Sequence, residues 1–163
     1  MRRFFYDTEF IEFPGFLELL SIGVVSEDGT REFYAEVLGA PVARANSWVR
    51  ANVLPHLCNP GVRLLVKRDV AENLRTFLAP TEDNPVELWA YYGAYDHVAL
   101  CWLFGPMSAL PPGMPMLTMD IKQMALSLGD PELPPSGNDE HNALVDARWV
   151  RSAYLFLRFG IVS

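Results

Sequence analysis

Three extended runs fill the first 37 residues with only short connections between them, and this limits the fold more than any other feature of the chain. Residues 3–9 (RFFYDTE) are aromatic and end in two acids, and residues 17–26 (LELLSIGVVS) form a second apolar run. The segment R-E-F-Y-A-E-V (31–37) alternates as a third strand. Between the last two, Glu27-Asp28-Gly29-Thr30 reads as a turn, with glycine where a positive φ is tolerated. Connections this short join antiparallel neighbours, so the three strands are expected to form a meander.

Helices and strands then alternate. Residues 42–57 read as a helix or broken helix with Pro55 near its end, and 67–78 as a helix carrying Val70, Leu74, Phe77 and Leu78 on one face. Residues 86–92 (VELWAYY) form a fourth strand that Gly93 breaks, and 95–104 has helical periodicity. Pro106, Pro111, Pro112 and Pro115 make 105–116 a structured loop. A short fifth strand at 117–120, a helix at 121–128 and a second Pro/Gly-rich loop at 129–137 follow. The final helix is expected from about residue 140 to 159, with Asn138 or Asp139 as its N-cap and Ala143, Ala147, Val150, Tyr154 and Leu157 as its core face. This order predicts an α/β domain, a mixed five-stranded sheet flanked by helices, occupying residues 1–163 as one unit.

A chain of 163 residues can bury a full core, and its 50% hydrophobic content excludes a disordered chain. No run approaches the ~18 apolar residues of a membrane span. The opening M-R-R-F-F-Y reaches Asp7 before a long apolar stretch forms, so a cytoplasmic location without a targeting segment is expected. Cys58 and Cys101 lie far apart in no metal-ligand spacing and read as free thiols. The net charge of −7 has the wrong sign for a protein that grips long nucleic acid through its phosphates. It does not exclude one that holds a strand by its end, where bound divalent cations would offset acidic charge at the phosphate.

Asp7 and Glu9 are two apart on a strand and leave the same face, while Thr8 points the other way. Such a pair is a common solvated feature; it is also an oxygen-rich cation site suited to Mg²⁺ or Mn²⁺. Asp96 falls in the first turn of the helix after the fourth strand, where an acid suits the helix N-terminus. It is also where ligands gather in open α/β sheets. His141 and Asp146 would stand about 140° apart around a regular helix. His141 is therefore placed at the loop–helix junction, as a general base, with Asp146 projecting from the second turn. If these five groups converge, two cations roughly 3.5–4 Å apart would clamp one phosphate. Asp7 would bridge both ions, Glu9, Asp96 and Asp146 would complete the shell, and His141 would take a proton from water.

D-T-E, a later Y-D and H-x4-D, in this order, resemble the DEDDh branch of the ribonuclease-T-like 3′–5′ exonucleases, which have a ribonuclease H-like fold. Longer strings, among them F-Y-D-T-E-F-I-E, G-A-Y-D-H-V-A-L-C and H-x-A-L-V-D-A-R, are similar to the actinobacterial polyadenylate-specific 3′-exoribonucleases, the ribonuclease AS group. The resemblance implies a two-metal site, RNA 3′ ends and possible poly(A) as substrate, release of nucleoside 5′-monophosphates, and a homodimer. The loop before His141 and the terminal I-V-S depart from that group.

Other residues are candidates for contact with substrate. Phe10 and Tyr95 adjoin the acidic motifs and lead the aromatics that would stack a terminal base, with Trp48, Tyr91 and Tyr92 behind them. Thr8 joins Phe10 and Tyr95 as a substrate-binding candidate. Arg2, Arg3, Lys67, Arg68 and Arg148 are candidates for backbone phosphates. Asp120 reads as a helix cap, and His56 and His97 as structural or exposed. Single-stranded DNA or short oligonucleotides are the nearest alternative substrates. A phosphatase with Asp7 as nucleophile is a third reading; it would use Lys122 and gives His141 no role.

Overall fold

The computed structural model describes residues 2–59, 61–62, 64–137 and 141–160. The strands are β1 (Arg2–Phe13), β2 (Phe16–Ser26), β3 (Glu32–Val37), β4 (Leu64–Leu65), β5 (Val86–Ala90) and β6 (Met119–Asp120). The helices are α1 (Ser47–Asn52), α2 (Lys67–Leu78), α3 (Ala94–Phe104), α4 (Ile121–Ser127) and α5 (Ala143–Phe159). Short 3₁₀ turns at Val42–Arg44 and Leu54–His56 flank α1, so the segment expected as a helix or broken helix is broken.

The sheet runs β4-β3-β2-β1-β5-β6. β1, β2 and β3 pair antiparallel, as the short turns require, whereas β5 lies parallel to β1, β6 to β5 and β4 to β3. The sheet thus has six strands rather than five. The extra one, Leu64–Leu65, pairs with Glu36 and Val37, and two residues are too short to show any periodicity.

Strand parity divides the core. Phe4 and Tyr6 of β1 face α2 and α3, packing with Val70, Leu74, Leu78 and Leu100. Phe5 faces the other way, onto Trp89, Ile121, Val150 and Tyr154 from β5, α4 and α5. Asp7 and Glu9 continue the parity of Phe5, so the strand delivers both acids to the α5 side of the sheet. A third cluster seats α1 through Val49 and Val53 against Ile11 and Leu20. Among the described residues, no helix is long and apolar enough to cross a membrane.

The last helix begins at Ala143, later than its periodicity suggests. Its cap is Asn142, whose side chain accepts from the N–H groups of Leu144 and Val145. The caps expected at Asn138 or Asp139 lie outside the described residues.

Candidate active site

Four structural devices bring distant acids together. The first is a β-bulge in the β1–β2 pairing at Glu9/Phe10. The extra residue is Leu20 on β2, so β2 bends there and its pairing with β1 shifts just past Glu9. The second is Gly23 of β2, opposite Asp7 in the register. A Cβ on Gly23 would lie 2.3 Å from the Ala143 carbonyl oxygen and 2.4 Å from Leu144 Cα. Only a residue without a side chain lets the first turn of α5 rest on the sheet, one turn from Asp146.

The third device is Thr8. It points to the opposite side from its neighbours and meets the start of α3, where its backbone N–H and its hydroxyl both donate to Asp96 Oδ1, at 2.9 and 2.6 Å. Thr8 is a substrate-binding candidate by sequence; here its hydroxyl serves Asp96. The fourth is the loop–helix junction. His141 has φ +70, a left-handed conformation, and its backbone N–H donates to Asp146 Oδ2 at 2.9 Å. This places His141 beside the helix rather than on it, the arrangement that the five-residue spacing calls for.

The product is one cavity of about 660 Å³ that all five ionisable residues line: Asp7, Glu9, Asp96, His141 and Asp146. Candidate ligand atoms of Asp7, Glu9 and Asp146 all lie within 4.8 Å of one another. Glu9 and Asp96 are buried, with 8% and 6% of their surface exposed.

Packing carboxylates this closely in a poorly solvated place favours their protonated forms. Burial, then Asp96, Glu9 and Asp146 push the Asp7 carboxyl well above its ordinary range. Glu9 is pushed up to about 8, first by burial, then by Asp146 and Asp96. Asp96 rises only to about 6, because the two bonds from Thr8 oppose burial. Among the described residues, no lysine or arginine lines the cavity. The charge deficit and the all-oxygen donor set suit one or more hard divalent cations, so the residues present fit the cations that the sequence resemblance implies.

Aromatic rings wall the same cavity. Phe10 and Tyr95 stack with centroids 5.9 Å apart and 16° between planes. Trp48 meets the His141 ring edge-on at 4.9 Å. Tyr91 and Tyr92 line it as well, and so does Trp149, which the sequence reading missed. Its signal was there: Trp149 is three residues after Asp146, one helical turn along the same face.

The cations proposed for phosphates do not line the cavity. Arg3 pairs with Glu27 and Glu87, Lys67 with Glu18, Arg68 with Asp69 and Arg148 with Glu32, while Arg2 donates to the Ala79 carbonyl. The excess of acid over base leaves these side chains local carboxylate partners. Lys122, which a phosphatase site would need, also lies outside the cavity and pairs with Asp130. Asp120 caps α4 as expected, accepting from Lys122 and Gln123 N–H. His97 is structural, with Nδ1 2.9 Å from Thr118 Oγ1.

Several solved exonucleases share the fold. The nuclease domain of 3′hExo, a DEDDh family member bound to rAMP, superposes with a TM-score of 0.59 at 12% identity, over 98% of this chain and 92% of that one. An exonuclease I structure gives 0.65 at 10% identity, with 98% of this chain but only 41% of that chain covered. The zinc-bound complex of E. coli exonuclease I with single-stranded DNA gives 0.63 at 12%, covering 99% of this chain and 41% of that one. These likenesses establish an α/β fold of the DEDDh exonuclease kind. In sequence, the chain is 51% identical over 147 residues to the 3′-5′ exoribonuclease Rv2179c of Mycobacterium tuberculosis (strain H37Rv), covering 90% of this chain and 87% of that protein. With residues 2–157 matching the family description as well, the chain belongs to the Rv2179c-like 3′-5′ exoribonuclease domain family.

Proposed function

We propose that this protein is a two-metal-ion 3′–5′ exoribonuclease that releases nucleoside 5′-monophosphates from RNA 3′ ends and prefers adenylates. The observation that carries the reading is the convergence of Asp7, Glu9, Asp96, Asp146 and His141 on one aromatic-walled cavity. In this reading Asp7, Glu9, Asp96 and Asp146 hold Mg²⁺ or Mn²⁺. When bound, such cations offset charge on the scissile phosphate and on the departing 3′ oxygen.

The remaining steps belong to the chain's own side chains. A ring nitrogen of His141 accepts a proton from the attacking water, whose oxygen bonds to phosphorus as the P–O3′ bond breaks. The departing 3′ oxygen takes a proton from solvent water, and the shortened strand leaves with a 3′ hydroxyl. Trp48, against the His141 ring, limits where that ring can swing. Phe10 and Tyr95 offer a stacked face for the terminal base, and a purine such as adenine, with its two fused rings, covers more of it than a pyrimidine. The same reading takes residues 1–163 as a single exonuclease domain that works as a cytoplasmic homodimer.

The test is incubation with 5′-labelled poly(A), poly(U) and single-stranded DNA, with Mg²⁺, Mn²⁺ or EDTA, resolved on a gel. A metal-dependent ladder shortening from the 3′ end, fastest on poly(A) and absent with Asp7→Asn, is expected. Equal rates on all RNAs would remove the adenylate preference, and faster cleavage of DNA would replace the substrate. No cleavage of any strand by folded, metal-supplied protein would end the nuclease reading.

A further inference from the structure

At one edge of the sheet the carboxyl ends of β5 and β6 lie side by side, next to the middle of β1 just past its Phe5–Trp89 pairing, where Asp7 and Glu9 stand. Ligand sites in open α/β sheets gather outside such ends. The acidic cavity occupies the β1 and β5 part of that edge. Beside it, past β5 and β6, lies a second cavity of about 480 Å³ whose lining includes His97, Thr118, Lys122, Gln123 and Leu126. Tyr92 lines both cavities and forms the wall between them.

That wall is built with care. Tyr92 is 63% exposed and has φ +54, a left-handed conformation that an aromatic residue adopts only when its surroundings impose it. Its carbonyl accepts from Ala94 N–H at 2.9 Å, and Gly93 N–H donates to Asp120 Oδ2 at 2.8 Å. Tyr91 packs against its ring at 4.5 Å. An exposed ring held in this way between two cavities presents a π face to whatever occupies them.

The second cavity also holds a cation. Arg2, Arg3, Lys67, Arg68 and Arg148 do not line either cavity, but Lys122 lines this one. Its Nζ sits 2.6 Å from Asp130 Oδ1, and Asp130 is an exposed residue. Asp130 is the more exposed partner, 47% against 25% for the Lys122 side chain, and it yields more readily to water, so Lys122 can exchange it for a phosphate. Asp120, the acid in the lining, already receives three backbone N–H groups, from Gly93, Lys122 and Gln123. Both of its oxygens are thus engaged by backbone donors.

We infer that this second cavity receives the nucleotide immediately 5′ of the scissile linkage, its base against Tyr92 and its 5′ phosphate at Lys122. The inference rests on the exonuclease reading above, and supplies what the acidic cavity lacks: a place for the strand that remains after cleavage. It also gives single-stranded RNA a grip of one phosphate, consistent with a chain whose net charge is −7.

Three substrates separate the subsite from the chemistry. The p-nitrophenyl ester of AMP has no upstream nucleotide, ApA has one without a 5′ phosphate, and ApApA has both. Wild-type protein is expected to show a higher kcat/KM on ApApA than on ApA. Lys122→Met should bring that ratio close to one, while Lys122→Arg should retain it. For ApApA, the slope of log kcat/KM against log salt should become shallower by about 0.7 in Lys122→Met, as for one lost phosphate contact on a single strand. An unchanged ratio and slope in Lys122→Met, with the ester and ApApA both turned over, would overturn the subsite and leave the nuclease reading intact. Failure of wild-type protein to hydrolyse any of the three would overturn both.

Discussion

Replacing Gly23 by alanine tests whether the sheet surface sets the position of Asp146. The added Cβ would lie 2.3 Å from Ala143 O and 2.4 Å from both Ala143 C and Leu144 Cα. All are backbone atoms of the helix start, so no side chain can swing aside to make room. Ordinary contact begins at 3.4 Å, so the first turn of α5 must retreat by about 1.1 Å, the difference between 3.4 and 2.3 Å. Overpacking of this kind costs ~1–3 kcal/mol of stability. The effect on the site is larger. Asp146 lies one turn further along the same helix and moves with it, away from Asp7 and Glu9, whose ligand atoms now share a 4.8 Å sphere of approach with its own. A misplacement of about 1 Å in a reacting constellation can lower a rate ~10²-fold. Single-turnover cleavage of a labelled oligoadenylate, a Mn²⁺ titration and a urea melt would read the three consequences separately. The expected outcome is a roughly hundredfold slower reaction with weaker cation binding in a protein that still folds. Wild-type rate and cation affinity in Gly23→Ala would show that close approach of α5 to the sheet does not set the site.

Two further predictions concern the acids without cations. In EDTA, the Glu9 carboxyl, raised from 4.5 to about 8, holds its proton in the folded protein where the unfolded chain has lost it. Its stabilising influence is complete below pH 4.5 and fades as pH rises to 8, a span that at about 1.4 kcal/mol per pH unit is on the order of 5 kcal/mol. Glu9→Gln should therefore flatten the fall in Tm between pH 5 and pH 8, and an equally steep fall in both proteins would contradict the assignment. Thr8→Val removes the hydroxyl bond to Asp96, which favours the ionised carboxylate, so it should destabilise by about 1–3 kcal/mol above pH 6 and by less below it. Urea melts at pH 5 and pH 8 would show the difference; the same loss at both would sink the reasoning.

What was legible in the sequence follows the reach of its periodicities. Parity along β1 carries Phe5, Asp7 and Glu9 to one side, and the structure keeps them there. The 67–78 helix occurs with the expected bounds because its apolar spacing and its ends agree. Features that depend on two distant segments were not legible. Gly23 shows only as one more residue of an apolar strand until α5 rests on it. The bond from Thr8 to Asp96 joins residues 88 apart. The pairing of Arg3, Lys67 and Arg148 with local acids, which withdraws them as phosphate ligands, depends on which carboxylates the fold brings within reach.

The site also shows how a strained backbone can be held by the acids that surround it. Two non-glycine residues with left-handed φ, Tyr92 and His141, line the acidic cavity. Such conformations cost of order 1–3 kcal/mol each and persist only where neighbours impose them. In both places the neighbour is an aspartate that accepts a backbone N–H: Asp120 from Gly93, Asp146 from His141. A carboxylate offers about four acceptor positions. Asp146 can thus hold the His141 backbone through Oδ2 and still present oxygen toward Asp7 and Glu9. The group proposed as base and the group proposed as ligand are positioned by the same side chain. A change at Asp146 therefore removes a ligand and releases the histidine together, so its effect should exceed that of a change at Glu9, which among the described residues holds no backbone group in the site.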